Sequence, residues 1–269
     1  MDPKRFGTSS GEATLRLAEL SDVDGLIELN RRCFPTQLEE SVIWNRAQLR
    51  NHLRVFPDGQ VVVERGGRLI GAAHSLIVSL GSDPYRPHTY SGITDGGYFH
   101  NHDPEGDTLY GVDVYVDPDA RGQGIGHELY AARRATCRRL NLRRILAGGR
   151  IHGYVDHPDL SPEQYVRKVE TGAITDLVLS FQLGEGFVVR GVLRNYVRDP
   201  RSRNTAILIE WLNPDHLAQH SVGARKVRVP RCSTRSGAPG TLPPSPSNSS
   251  TSSRRRQATA PTSCCSRSS

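Results

Sequence analysis

What this chain lacks narrows its class before any motif is read. It has five cysteines in 269 residues, at positions 33, 137, 232, 264 and 265, and they form no disulfide framework. The opening stretch, MDPKRFGTSSGEATLRLAEL, has no apolar core of signal-peptide length. Nowhere does the chain approach the roughly 20 apolar residues that cross a bilayer. These absences set a reducing cytoplasm as the expected compartment and exclude a membrane-embedded role. Aromatic residues stop at Trp211 and acidic ones at Asp215. Residues 213–269 are therefore expected to form a disordered, basic Ser/Arg/Pro-rich tail, since they cannot offset chain entropy by burial. The tail reads more readily as an out-of-frame or truncated end than as a natural basic arm.

The formal charge of +7 suggests a nucleic-acid partner until it is located. Nine basic side chains and one acid fall after Leu212, whereas residues 1–212 carry 26 basic and 27 acidic ones. The near-neutral body offers no basic face, so nucleic acid is not an expected partner.

The informative stretch is Val112–Leu129, VDVYVDPDARGQGIGHEL. It reads as an alternating strand, a Pro-bearing turn, a glycine-rich loop and a helix start. Such a loop turns several backbone N–H groups toward one point, and the helix adds its positive end, which together suit a phosphate or pyrophosphate. Arg121 supplies a counter-charge. No Lys-Ser or Lys-Thr follows the glycines, which excludes a P-loop, and His127 and Leu129 break the dinucleotide fingerprint.

Around this stretch the pattern is α/β. A strand is expected over Thr14–Leu20, after a disordered residue 1–13 segment, then a helix to about Arg32 and a second beginning at Ser41. Strands Gln60–Glu64 and Arg68–Leu80 flank a Gly66-Gly67 turn. Residues 81–107 read as a long loop. The motif strand Leu109–Val116 and helix Gly124–Leu140 come next, then a strand over Arg143–Ala147, helices within 148–183, and closing strands Phe187–Val197 and Thr205–Leu212.

The string Arg121-x-x-Gly124-x-Gly126, directly after a strand ending Val116-Asp117-Pro118, resembles the coenzyme A loop of the GNAT N-acetyltransferase superfamily. Further strings, GDTLYGVDVYV, LNLRRILAGGRI, SPEQYVRKV and LSFQLGEGFVVRGVLRNYV, resemble a bacterial subgroup. In it a GNAT-like domain precedes a nitrilase-like carbon–nitrogen hydrolase domain, and Ala224–Val229 resembles that second domain's opening strand. The second domain itself is not expected here. The resemblance implies a GNAT fold over residues 14–212: an α/β architecture with a mixed, twisted central sheet and helices on both faces. It implies acetyl transfer from acetyl-coenzyme A to an amine, carried by a small molecule or a protein, without a metal. A homodimer is left open. The alternative is a non-catalytic acyl-coenzyme A-binding domain left from a hydrolase fusion.

On the same resemblance, backbone groups of Val114 and Val116 hold the pantetheine arm, and the N–H of Val114 or Tyr115 polarises the thioester carbonyl. N–H groups of Arg121, Gly122, Gln123, Gly124, Ile125 and Gly126 hold the pyrophosphate. Asp113, an acid between two valines, is the candidate base, with Glu105 and Asp107 as rivals and a structural carboxylate paired with Arg150 as the alternative. GNAT enzymes often carry a Tyr acid on the helix before the closing strands, but that position is Phe181 or Gln182 here. Tyr154 or Tyr165 is the substitute. Arg150, after Gly148-Gly149, either contacts the acceptor or makes a surface salt bridge. The Arg133-Arg134 and Arg138-Arg139 pairs read as a solvated helix face, His100-x-His102-Asp103 as a solvated loop, and Trp44 and Trp211 as packing residues.

Overall fold

The apolar pattern builds a sheet first. In a computed structural model, which describes residues 1–34 and 43–218, eight strands align in the order β1-β2-β3-β4-β5-β6-β8-β7. They are β1 (Lys4–Thr8), β2 (Gly11–Leu17), β3 (Gln60–Arg65), β4 (Arg68–Val78), β5 (Thr108–Val116), β6 (Arg144–Arg150), β7 (Val188–Leu193) and β8 (Ala206–Leu212). All neighbours run antiparallel except β5 and β6, so the sheet is mixed. Helices cover both faces. On one side lie α1 (Val23–Cys33), α2 (Arg46–Val55) and α3 (Tyr90–Thr94), sharing a core with Leu76, Tyr110 and Leu208. On the other lie α4 (Ile125–Arg139), α5 (Pro162–Glu170) and α6 (Leu179–Gly184), packed on Val63, Leu109 and Ile145.

Three expectations are corrected. The first 13 residues do not lack structure: Lys4–Thr8 pairs with Gly11–Leu15, and Lys4 reaches Glu128 at 2.6 Å. KRFGT hides this strand because Phe6 is its only sizeable apolar residue, and backbone pairing to a sheet edge leaves no hydrophobic alternation. Ser41 lies outside the described residues, and α2 is started instead by Asn45, whose side chain accepts from the N–H groups of Ala47 and Gln48. Within 81–107, α3 and its flanks are packed on the body, with Tyr90, Ile93 and Phe99 buried. That is how a long Gly- and Pro-rich segment satisfies its backbone on a neighbour.

The feature that makes a site is where β5 and β6 part. They pair only through Thr108–Gly111 and Arg144–Ala147. Beyond these, β5 stays with β4 through Val116, while β6 follows β8 through Arg150. The result is a wedge opening toward the loop that follows β5.

Candidate functional site at the split in the sheet

The mouth of the wedge is the glycine loop. Asp117 fixes its start. Its Oδ1 accepts the Asp119 N–H at 3.1 Å, and its Oδ2 receives Arg32 at 2.8 Å and Arg68 at 3.1 Å. Burial works to raise the Asp117 carboxyl, but the Asp119 N–H and the Arg32 guanidinium hold it below the usual carboxylate range. Gly122 and Gly124 then take φ of 72° and 81°, a left-handed turn that favours glycine, and a Cβ on either would stand in open space. Gly124 starts α4 with no side-chain cap, so the first N–H groups of this 15-residue helix have no capping side chain at their end. Gly122, Gly124, Ile125, Gly126 and His127 all border an outer cleft of about 870 Å³. Arg32, Arg121, Arg150 and Arg201 line it as well, giving it cationic walls.

The inner wall is β5. Asp117 N–H donates to Ile70 O at 2.9 Å, so ladder alternation turns Tyr115 to β4 and leaves the backbone groups of Val114 and Val116 on the open side. Arg121 Nε already uses this edge, donating to Val116 O at 3.3 Å. Deeper in, the wedge closes as a small chamber of about 100 Å³. Along β5 the order is fixed: Val116 and Tyr115 border only the outer cleft, Val114 borders both spaces, and Asp113, Val112 and Gly111 border only the chamber.

A bulge aims Asp113 into that chamber. His74 pairs with Asp113 and Ser75 with Gly111, leaving Val112 as an extra residue in β5. The bulge is held by Arg133 of α4, which donates to His74 O at 2.9 Å, Asp113 O at 2.8 Å and Ser75 Oγ at 3.0 Å. Gly111 makes room for it, since a Cβ there would come within 2.7 Å of Arg133 Nη1. The solvated-face expectation for Arg133 is thus wrong: its residue is 4% exposed. A charge buried on a helix that also carries exposed arginines, Arg138 and Arg139, is invisible in sequence, because its partners are carbonyls of a bulge between β4 and β5. Arg134 bridges to Glu185, Arg138 to Asp215 and Arg139 to Asp58.

Asp113 Oδ2 is enclosed and unpartnered, and burial pushes the carboxyl up to about 6 against the opposing charges of Arg150 and Arg133. Among the described residues, three more buried atoms without a hydrogen-bond partner border the same chamber: Tyr90 OH, Arg150 Nη1 and Gln182 Oε1. Arg150 does not ion-pair with Asp113; it lies 3.8 Å from Asp199, over the ring of Phe34. Gly148 and Gly149 exist for this place. A Cβ on the first would strike the Tyr196 ring and on the second the Gln182 amide, which reach into the wedge from opposite faces.

Other candidates fall away from the wedge. Tyr154 is buried in the core with its hydroxyl given to Leu160 O at 2.9 Å, and it lines neither space, so it is no substitute acid. Tyr165 is likewise spent on Asp176 at 2.9 Å. Glu105 and Asp107 border neither space. The Gln123 side chain turns outward to Arg65 at 2.8 Å, leaving it a backbone role alone. His100 bonds Asp95, while His102 accepts the Ile77 N–H and stacks on Phe56. Trp44 is buried between His52, His74 and Phe99. Cys33 lines the outer cleft, its thiol pushed up to about 12 by burial. Sequence reading missed Arg32, Tyr130, His152 and Arg201. Tyr130 and His152 border both spaces, and burial lowers the His152 imidazole below its usual range. No local motif marks any of the four.

Comparison with known proteins agrees with this geometry. The acetyltransferase (GNAT) family model matches residues 23–152. The uncharacterized N-acetyltransferase YkwB of Bacillus subtilis strain 168 is 38% identical over 202 residues, which cover 74% of this chain and 88% of that protein. The chain belongs to the GNAT acetyltransferase family. A second relative from the same bacterium, the probable hydrolase YhcX, is 41% identical over 209 residues. Those residues are 77% of this chain but only 40% of YhcX, so the GNAT chain spans about two fifths of that relative. Among solved structures, the loading GNATL domain of CurA from Lyngbya majuscula superimposes with a TM-score of 0.65 at 20% identity, covering 75% of this chain and 98% of that one. The GNAT-like decarboxylase GphF, in complex with isobutyryl-CoA, gives a TM-score of 0.63 at 25% identity, covering 74% and 98%.

Proposed function

We propose that this protein is an N-acetyltransferase that moves the acetyl group of acetyl-coenzyme A to an amine. One observation carries the reading: an uncapped helix terminus and bare glycine loop at the mouth of a wedge whose open strand edge leads to an enclosed carboxylate. The N–H groups of Gly122 to His127, with Arg121, would take the pyrophosphate. The parted edge of β5 at Val114 and Val116 would hold the pantetheine arm as an added strand. Asp113 would accept the amine proton, and a carboxyl near 6 is a better base at neutral pH than an ordinary one. The isobutyryl-CoA held by GphF supports a coenzyme A thioester as the ligand class.

Calorimetry with acetyl-coenzyme A tests the reading. Gly124→Val puts a branched side chain where the pyrophosphate approaches and is expected to weaken binding at least ~100-fold, about 2.7 kcal/mol, while the circular dichroism spectrum is kept. Unchanged affinity in the folded variant overturns the cofactor assignment. The second reading, a non-catalytic acyl-coenzyme A-binding domain, draws on the longer hydrolase relative. Acetyl transfer to a panel of amines, followed by free thiol release, separates the two.

A further inference from the structure

The family's usual acid, a tyrosine on the helix before the closing strands, is absent: α6 presents Phe181 and Gln182. Phe181 is 39% exposed in the outer cleft. Gln182 is buried beside the chamber, and its amide points at another helix. Its Nε2 donates at 3.0 Å to the hydroxyl of Tyr130 on α4.

The order along β5 locates the reacting thioester. A carrier entering past Val116 would bring the sulfur and carbonyl to where cleft and chamber meet. Among the described residues, five border both spaces: Val114, Tyr130, Arg150, His152 and Val178. Two are aliphatic. Arg150 is permanently charged and cannot surrender a proton. Burial lowers the His152 imidazole below its usual range, which disfavours the imidazolium that would act as an acid. Tyr130 is the O–H donor at the junction. Its ring is fixed edge-on between Phe181 at 5.3 Å and Phe187 at 5.5 Å. Because Gln182 occupies a lone pair of the phenol oxygen, the phenol's own proton is left for another acceptor.

We infer that the hydroxyl missing from α6 is supplied from α4: Tyr130 is the general acid for the departing thiolate, and Gln182, whose Nε2 donates to the phenol oxygen, is its positioning residue. This rests on the acyl transfer proposed above. In the step, the amine nitrogen forms the C–N bond and gives its proton to Asp113. The C–S bond breaks, and the Tyr130 O–H proton passes to sulfur. The phenolate recovers a proton from water in the outer cleft, and Asp113 releases its proton to solvent. Amine and thioester become amide and thiol.

The test needs no acceptor. Coenzyme A, the thiol product, is bound to the full chain, and its ionisation is followed by the ultraviolet absorbance of the thiolate. Desulfo-coenzyme A serves as the reference that cancels the protein's own cysteines. A phenol donating to sulfur stabilises the thiolate. Tyr130→Phe, which preserves the ring packing, is expected to raise the pKa of the bound thiol by about one unit, a tenfold change in ionisation. Gln182→Leu is expected to raise it by a smaller amount, since the phenol remains but is no longer aimed. A Tyr130→Phe protein whose bound thiol titrates like the wild type overturns the acid assignment. A Gln182→Leu protein with no shift overturns the positioning role. If coenzyme A does not bind the wild-type protein at all, the cofactor reading falls with this one; if it binds and the thiols titrate alike, this one falls alone.

Discussion

The two ends of the wedge are built by different means. At the mouth, the exposed features belong to the backbone: glycines with φ near 72° and 81°, an uncapped helix and a parted strand edge. Side chains there brace the loop, as Arg32 and Arg68 do through Asp117. In the chamber, side chains from β5, β6, α3, α4 and α6 come together: Asp113, Arg150, Tyr90, Tyr130 and Gln182. A backbone site needs a local sequence and tolerates many side chains. A side-chain site needs distant residues brought together and tolerates few changes. The same contrast explains how one scaffold can hold one ligand class while its chemistry varies.

The largest expected effect breaks the chamber without touching the mouth. Asp113→Asn is predicted to lower turnover by ~10²–10⁴-fold, with little change in coenzyme A affinity, because shape is kept and basicity lost. Turnover in the wild type should rise as pH increases through about 6, the point to which burial pushes the carboxyl. Stability should move the opposite way. The folded carboxyl holds its proton more tightly than the unfolded one, so this group's contribution is fully present below the unfolded value of 3.8 and lost as pH rises through about 6. Asp113→Asn should therefore melt higher than the wild type at pH 8. A variant that melts lower there would mark Asp113 as a structural carboxylate.

Arg133→Met sharpens the comparison from the side of stability. It strips donors from His74 O and Asp113 O at the bulge. Two buried carbonyls left unpaired are expected to cost about 2–4 kcal/mol in urea denaturation. A loss under 1 kcal/mol would show that the bulge holds itself. At the mouth a smaller effect is expected. Arg121→Ala should weaken coenzyme A binding about 5–10-fold, and less at high salt, as for an exposed charge facing a polyanion. Gln123→Ala should change binding less than about 2-fold, because that side chain is spent on Arg65. Equal losses from the two would mean the loop's side chains, not its N–H groups, grip the ligand. Smallest of all, Tyr154→Phe should leave turnover within about 2-fold, since its hydroxyl serves Leu160 and lines neither space. A collapse of turnover in a folded Tyr154→Phe protein would reopen the acid assignment.

Legibility followed the same division. The α/β order, the Gly66-Gly67 hairpin turn and the strand–loop–helix of Val112–Leu129 were readable because turn chemistry and apolar period are written in adjacent residues. Asp113 stood out as an acid between valines, although the bulge that aims it did not. The burial of Arg133 is not legible, since helical periodicity marks which residues sit together on one face and not whether that face meets a bulge. Residue type alone makes Tyr154 a candidate acid, and packing spends its hydroxyl on Leu160.

By itself the sequence determined the family, the glycine loop and the place of an uncapped helix terminus, because each depends on contacts within about twenty consecutive residues. Only the tertiary structure decided which side chains share the chamber. Gly148 and Gly149 are plain in the sequence, yet their purpose appears only when Tyr196 and Gln182, 48 and 33 positions further on, fill the space a Cβ would take. Tyr130 and Gln182 meet because α4 and α6 pack on one face of a sheet whose strands part between them. That meeting is a property of packing, and no local pattern encodes it.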